Sequence, residues 1–425
     1  MQLPFERYQL DNGLSVILHR DPSLPIVAVN LWFRVGAKDE VPGRSGFAHL
    51  FEHLMFMGTD AVPNFDILLE DGGGWSNAST SEDRTNYYAV GPATLIDTLL
   101  YLDADRLANL GRSMTQEKLE LQRSVVLNER RQSYENAPYA KAWLEIPPGM
   151  YPAGHPYAHP VIGSVEDIQA ATLEDVRDFF DTYYAPANAT LVVAGDFDPA
   201  AVKARIDQTF GLIPARPAPP AITVAPVSLP TQATVTLYDR VEVPKLILLW
   251  HSPSFLAPGD AEMDVTSSVL SKGKSSRLYK RLVYERQIAS SVVAMQSSGL
   301  ASLFIIEVTA ERGSDLQALE AAVDEVLEEL IATGPTTDEL ERAINGIETS
   351  FIRQLQAVAR RADLLNQYAF YTDTPDYLAR DMARYAQIAP TQVHQVLRQV
   401  LAGGSQKRMR IEILPMSDAP AAPTP

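Results

Sequence analysis

Residues Ile213–Pro230 are dominated by Pro and Ala and keep neither the alternation of a strand nor the periodicity of a helix. Such a stretch favours extended backbone and reads as a linker. It parts the 425 residues into two halves, expected as domains over 1–212 and 231–417, with a Pro/Ala-rich tail over 418–425. The halves repeat one another in element order. The first opens with Tyr8–Leu10 and Leu14–Leu18 about an Asp11-Asn12-Gly13 turn, then a strand Ile26–Val35 and a helix near Ser45–Met57. The second opens with Thr234–Tyr238, Lys245–Trp250 and a helix from about Ala261. Towards the end of each half, Thr172 caps a helix to about Tyr183 before a strand Thr190–Ala194, and Thr391 caps one to about Leu401 before Arg408–Leu414. Cap and strand start are 18 residues apart in the first half and 17 in the second. Ser314 with Gln317, and Thr336 with Glu339, read as capping boxes that open two long helices. Hairpins and strands mixed with long helices predict an α+β chain of two similar domains, each a mainly antiparallel sheet covered by helices.

Composition removes whole classes of function. An apolar fraction of 46% with 21% charged residues excludes wholesale disorder. No apolar run approaches the ~18 residues of a membrane helix, so no membrane partner is expected. The 36 Lys and Arg against 53 Asp and Glu give a net charge of −17, which repels a phosphate backbone and argues against nucleic acid while suiting cationic peptides. There are no cysteines, hence no disulfide, thiolate metal site or Cys nucleophile. Met1–Gly13 lacks the basic-then-apolar pattern of a secretory signal. The expected compartment is periplasmic if a leader was removed and cytoplasmic otherwise.

The chemistry concentrates in one short segment. His49, Glu52 and His53 form an H-x-x-E-H pattern within Gly46–Thr59. Positions three and four apart share a helix face, so both imidazoles can reach one cation with the carboxylate beside them. The surrounding Phe47, Leu50, Phe51, Leu54 and Met55 mark a buried helix, on which three ionisable groups are costly unless a metal satisfies them. Chance predicts only roughly 0.014 such matches in a chain of this composition. A catalytic zinc takes three protein ligands and keeps a fourth position open, so a third ligand is needed. A helix expected from Thr115 to about Glu135 carries Glu120, Glu129 and Glu135, and spacing alone does not choose among them. His155 and His159 are also four apart, but Pro156 and Pro160 preclude a regular helix, and a structured loop is expected there.

Gly46–Thr59 resembles the zinc-binding helix of the pitrilysin/insulinase family of inverzincin metallopeptidases, which includes the mitochondrial processing peptidases. In that family the third ligand is a Glu about 76 residues after the second His in a V-V/I-L-x-E context; Val125-Val126-Leu127-Asn128-Glu129 fits, 76 residues after His53. Gly72–Thr80, followed by Asp83, Thr85 and Tyr87-Tyr88, resembles the family's substrate-binding edge strand, and Ser275–Leu278 an element of its second domain. The resemblance covers about residues 5–415. It implies two similar domains forming half of a clamshell and a zinc endopeptidase acting on peptides or small unfolded segments in an enclosed cavity. One Zn2+ per chain would be held by His49, His53 and Glu129, with Glu52 as general base. Gly74, Asn77 and Ala78 would hold the peptide as an added strand.

Two departures from that pattern stand out. Seven residues before the third ligand the family usually carries a second Glu supporting the site; here it is Gln122. Active members usually supply an Arg and a Tyr, seven residues apart, from the second domain. Aligned from Ser275–Leu278 those positions are Val283 and Ser290, whereas Arg277 and Tyr284 have the right separation but lie six residues early. The resemblance therefore implies a heterodimer with a related subunit that supplies the pair, or a homodimer. The alternative reading is a non-catalytic peptide-binding or scaffold subunit.

Overall fold

A computed structural model describes residues 2–229, 233–402 and 407–419. Pro230, the last residue of the expected linker, and 420–425 of the expected tail lie outside the described residues. The strands are β1 (Glu6–Gln9), β2 (Ser15–Arg20), β3 (Ile26–Phe33), β4 (Trp75–Thr80), β5 (Thr85–Pro92), β6 (Ala189–Gly195), β7 (Ala233–Asp239), β8 (Lys245–Ser252), β9 (Ala289–Gln296), β10 (Ser302–Ala310) and β11 (Met409–Pro415). The helices are α1 (Phe47–Leu54), α2 (Phe65–Glu70), α3 (Ile96–Ser113), α4 (Gln116–Arg130), α5 (Ala142–Met150), α6 (Val165–Ala170), α7 (Leu173–Tyr183), α8 (Pro199–Thr209), α9 (Asp260–Ser271), α10 (Leu316–Thr333), α11 (Thr337–Gln354), α12 (Val358–Thr372), α13 (Leu378–Ala386) and α14 (Pro390–Val400). None of them is long and apolar enough to cross a membrane.

The first sheet has the order β1-β2-β6-β3-β5-β4 and the second β7-β11-β8-β10-β9. Without β1 the two orders are the same. Each holds one parallel pair, β2 with β6 and β7 with β11, and is otherwise antiparallel. The repeat seen in the sequence is therefore a repeat of topology, and the α+β class holds. The caps differ in detail. Asp315, not Ser314, accepts the first-turn N–H of Ala318 at 3.0 Å in α10, because the adjacent carboxylate competes successfully for it. In the last long helix the cap is Ala389 ahead of Pro390, which puts Thr391 inside the first turn. Thr172 and the Thr336–Glu339 box cap α7 and α11 as expected.

Each sheet takes its strands from one half of the chain, yet each compact unit borrows a segment from the other half. The first unit comprises 1–130, 159–223 and 350–380; the second comprises 131–158, 224–349 and 381–425. In the first unit α12 covers the face on which Asn30 and Trp32 of β3 and Asn86 of β5 lie, and Asp363 Oδ1 accepts from all three side chains at 3.2–3.3 Å. On the opposite face Phe33, Tyr87, Phe51, Phe179 and Tyr184 form a buried aromatic cluster, with Phe51 and Tyr184 centroids 5.0 Å apart. Burying each such ring contributes about 1.5–3 kcal/mol, and Phe51 thereby fixes α1 to that face. In the second unit Ala142, Ile146 and Met150 of α5 pack on Ile247, Leu249, Ile305, Met409 and Ile411. The expected linker has no regular structure, but Val224, Val227 and Leu229 pack against this second core.

Candidate metal centre

The N-cap of α1 is Gly46, with φ +87°, and it has no side chain to accept the first-turn N–H groups. Only glycine is suited here, because a Cβ would also stand 2.9 Å from Gly163 Cα and Ile162 O. The missing cap comes from Glu40. Its carboxylate is wholly buried and accepts from Ala48 N at 2.7 Å and Gly46 N at 2.8 Å, with His159 Nδ1 3.5 Å away. A carboxylate at a helix N-terminus meets both the unpaired N–H groups and the positive end of the dipole. Burial nonetheless pushes its pKa well up, against those two hydrogen bonds.

From this anchored turn His49, Glu52 and His53 project on one face, and Glu129 of α4 joins them. Glu129 Oε2 lies 3.2 Å from His53 Nε2 and 3.7 Å from His49 Nε2, and one donor atom from each residue falls within 4.8 Å of the others. The imidazole centroids are 4.8 Å apart and nearly perpendicular. Tetrahedral ligands at about 2.1 Å from a zinc ion stand about 3.4 Å from one another, so the spacing of Glu129 from each imidazole fits. So does the donor chemistry. Burial lowers the His49 pKa to about 4, which keeps the ring a neutral ligand, and the hydrogen bond from His53 lowers that of Glu129, which keeps it an anion. Two imidazoles and a carboxylate form the His2Glu set of catalytic zinc sites, with one position left for water or substrate.

Glu52 is not part of that group. Its Oε2 accepts from Thr80 Oγ1 at 2.6 Å, tying α1 to the last residue of β4, and burial raises its pKa. A raised carboxyl is suited to moving a proton near neutral pH. Gln122 does not reach the ligands; its amide donates to Met57 Sδ at 2.7 Å. Gly74 precedes β4 and donates to Leu69 O, Asn77 is exposed with Oδ1 on Ala78 N, and Ala78 is buried. Asn77 and Ala78 belong to the outer strand of the sheet, where among the described residues β4 pairs with β5 alone, and Gly74 leads into it. His155 stacks on Tyr151 and bonds Ala225 O, while His159 faces Glu40, so neither joins the metal group. In the second unit Arg277 makes a two-pronged ion pair with Glu339 at 2.7 and 2.8 Å, Tyr284 is 74% exposed, and Ser290 bonds the carbonyls of Thr309 and Ala310. The residue that sequence reasoning missed is Glu40. The available signal was a helix opening on Gly, which must find its acceptor elsewhere.

Comparison with known proteins finds family models that match parts of both halves of the chain. Residues 15–145 match Insulinase (Peptidase family M16), and residues 170–347 match the Peptidase M16 inactive domain. The zinc protease PqqE of Helicobacter pylori is 28% identical over 376 residues, covering 87% of this chain and 84% of that protein. The crystal structure of a protease from Helicobacter pylori superposes with a TM-score of 0.91 at 26% identity, over 98% of this chain and 100% of that one. The periplasmic protease PqqL from Escherichia coli shares the fold, with a TM-score of 0.78 at 18% identity; this chain covers 48% of it and is itself covered to 97%. By sequence and by fold, this chain belongs to the insulinase (M16) peptidase family.

Proposed function

We propose that the chain is a zinc-dependent endopeptidase that hydrolyses peptides or small unfolded segments. The observation that carries this reading is the convergence of His49, His53 and Glu129 from α1 and α4, with Glu52 beside them. His49, His53 and Glu129 would hold one zinc ion, which supplies Lewis-acid polarisation of the scissile carbonyl and acidifies water. Glu52 takes the proton of the attacking water and delivers it to the leaving amine, held in position by Thr80. A peptide lying along β4, with Gly74, Asn77 and Ala78 under it, gains main-chain hydrogen bonds at an edge that faces no other strand among the described residues. Gln122 holds Met57 rather than a ligand, so it steadies the segment after α1.

The Arg and Tyr that the family draws from its second domain have no counterpart among these residues. Val283 and Ser290 stand at the aligned positions and Arg277 is committed to Glu339. We infer that a related subunit supplies them in a heterodimer. The same observation favours the second reading, a non-catalytic peptide-binding subunit. One experiment separates them: metal content and fluorogenic-peptide hydrolysis, measured on the chain alone and with the subunit that co-purifies. The peptidase reading expects about one zinc per chain, turnover with the partner, and loss of turnover with zinc retained in Glu52→Gln. Absence of bound zinc, or hydrolysis that survives Glu52→Gln, refutes it.

A further inference from the structure

Sheet edges in natural proteins are blunted by charge, proline or a bulge. The outer edge of β4 has none of these. Its sequence Trp75–Thr80 is uncharged and pairs with β5 in unbroken register. At its start stands Trp75, 50% exposed, set edge-on to Tyr88 with ring centroids 5.8 Å apart. Alternation fixes the faces. Thr80 bonds Glu52 on the α1 face and Ala78 is buried with it, so Trp75, Asn77 and Ser79 occupy the other face, where Ser79 Oγ bonds Asn86. Leu69 of the preceding α2 is buried, and a Cβ at Gly74 would stand 2.6 Å from it, while Ile67 and Leu68 of that helix are 53% and 47% exposed.

From this geometry we propose that Trp75 and Tyr88 form an apolar subsite that selects peptides bearing an aromatic or large aliphatic side chain a few residues from the cleaved bond. The inference rests on the peptidase reading above. A peptide added along β4 with its reacting bond near Glu52 meets Thr80 first and Trp75 five residues later, about 17 Å along the strand at 3.4 Å per residue. Its alternate side chains fall on the Trp75 face. Between those points the strand offers only Ser76, Asn77, Ala78 and Ser79, which are too short to select strongly. Main-chain bonding therefore accepts many sequences, and Trp75 is the one large side chain of the strand that can discriminate among them.

The test uses unstructured fluorogenic peptides identical but for one residue, walked outward from the cleaved bond and set to Phe, Leu, Ser or Arg. The full chain, with its co-purifying partner if turnover requires it, is compared with Trp75→Ala and Trp75→Phe. At one position the wild type should favour Phe over Ser by about tenfold in kcat/KM, through KM. Trp75→Ala should bring that ratio close to one, and Trp75→Phe should restore most of it. A ratio unchanged in Trp75→Ala, or a preference for Arg at that position, overturns the inference. In a Glu52→Gln background, adding the Phe peptide should shift tryptophan emission to the blue, and Trp75→Phe should abolish the shift. A wild type that hydrolyses nothing yet shows this shift defeats the peptidase reading and leaves the subsite standing; hydrolysis without the shift does the reverse.

Discussion

Replacing Glu40 tests whether the metal helix is held from its N-terminus. Glu40→Ala removes two hydrogen bonds to a charged acceptor, at 2.7 and 2.8 Å, and leaves the Gly46 and Ala48 N–H groups in a site from which water is excluded. Each such bond is worth about 1.5–3 kcal/mol, and the dipole interaction adds up to about 2 kcal/mol. Burying the carboxylate works against them, as its raised pKa records, so the net loss is about 3 kcal/mol. Glu40→Gln keeps one acceptor and turns an NH2 toward the other N–H, for about half that loss. His49 lies three residues beyond Gly46, within the first turn, so loosening the turn moves the ligand itself. Partners behind metal ligands typically change affinity by about 10–100-fold, and Glu40→Ala is expected in that range. Urea unfolding followed by circular dichroism gives the stability, and competition against a chelating dye gives the zinc affinity. A loss of about 3 kcal/mol leaves a typical domain of this size folded, so weaker zinc binding reports the local change rather than unfolding. A Glu40→Ala protein that binds zinc as tightly as the wild type refutes the argument.

Three further outcomes follow from other parts of the structure. Burial, with Asp260 nearby, raises the Asp264 pKa to about 7, and Tyr385 donates to it at 2.6 Å while Asp381 and Arg384 lie close. The folded state then binds more protons than the unfolded one between about pH 4 and 7, so this contribution is full below pH 4 and is lost as pH rises through 7, on the order of 4 kcal/mol in all. Urea midpoints across that range should fall less in Asp264→Asn than in the wild type; parallel profiles would exclude the assignment. Arg277 and Glu339 are 16% and 15% exposed at the side chain, so Arg277→Ala should cost about 3 kcal/mol of stability and Arg277→Lys less, by urea unfolding. If Arg277→Ala instead raises KM at unchanged stability, the residue serves substrate. Glu129→Ala removes the only anion of the ligand set and should cut zinc content below half of the wild type by metal analysis after dialysis; full retention would show that the two imidazoles suffice.

The parts of the site that the sequence made legible are those encoded over short spans. His49, Glu52 and His53 announce themselves because a helix turns four-residue spacing into a shared face, and the apolar residues around them declare the helix buried. Glu129 was one of several candidates by spacing alone, and it was the wider family pattern that singled it out. The helix caps erred by one or two residues where two acceptors or a proline stood side by side, as at Ser314 and Asp315. Glu40 could not be read, because a carboxylate six residues before a glycine cap matches no local capping pattern; the loop that returns it exists only in the fold. The same holds for α12, whose alternation of apolar and polar residues says that it packs but not that it packs on the sheet of the other half.

That last arrangement has a consequence for how the chain is made. Asp363, Asn366 and Tyr371 bond Asn30, Trp32, Asn86 and Asp83 of the first unit from a segment encoded more than three quarters of the way along the chain. During synthesis, which releases residues in order, the amino-terminal sheet must wait with one face bare until residues near 380 have left the ribosome. The histidines are translated some 310 residues before Asp363, and the unit that carries them reaches its finished form only after that later segment has followed.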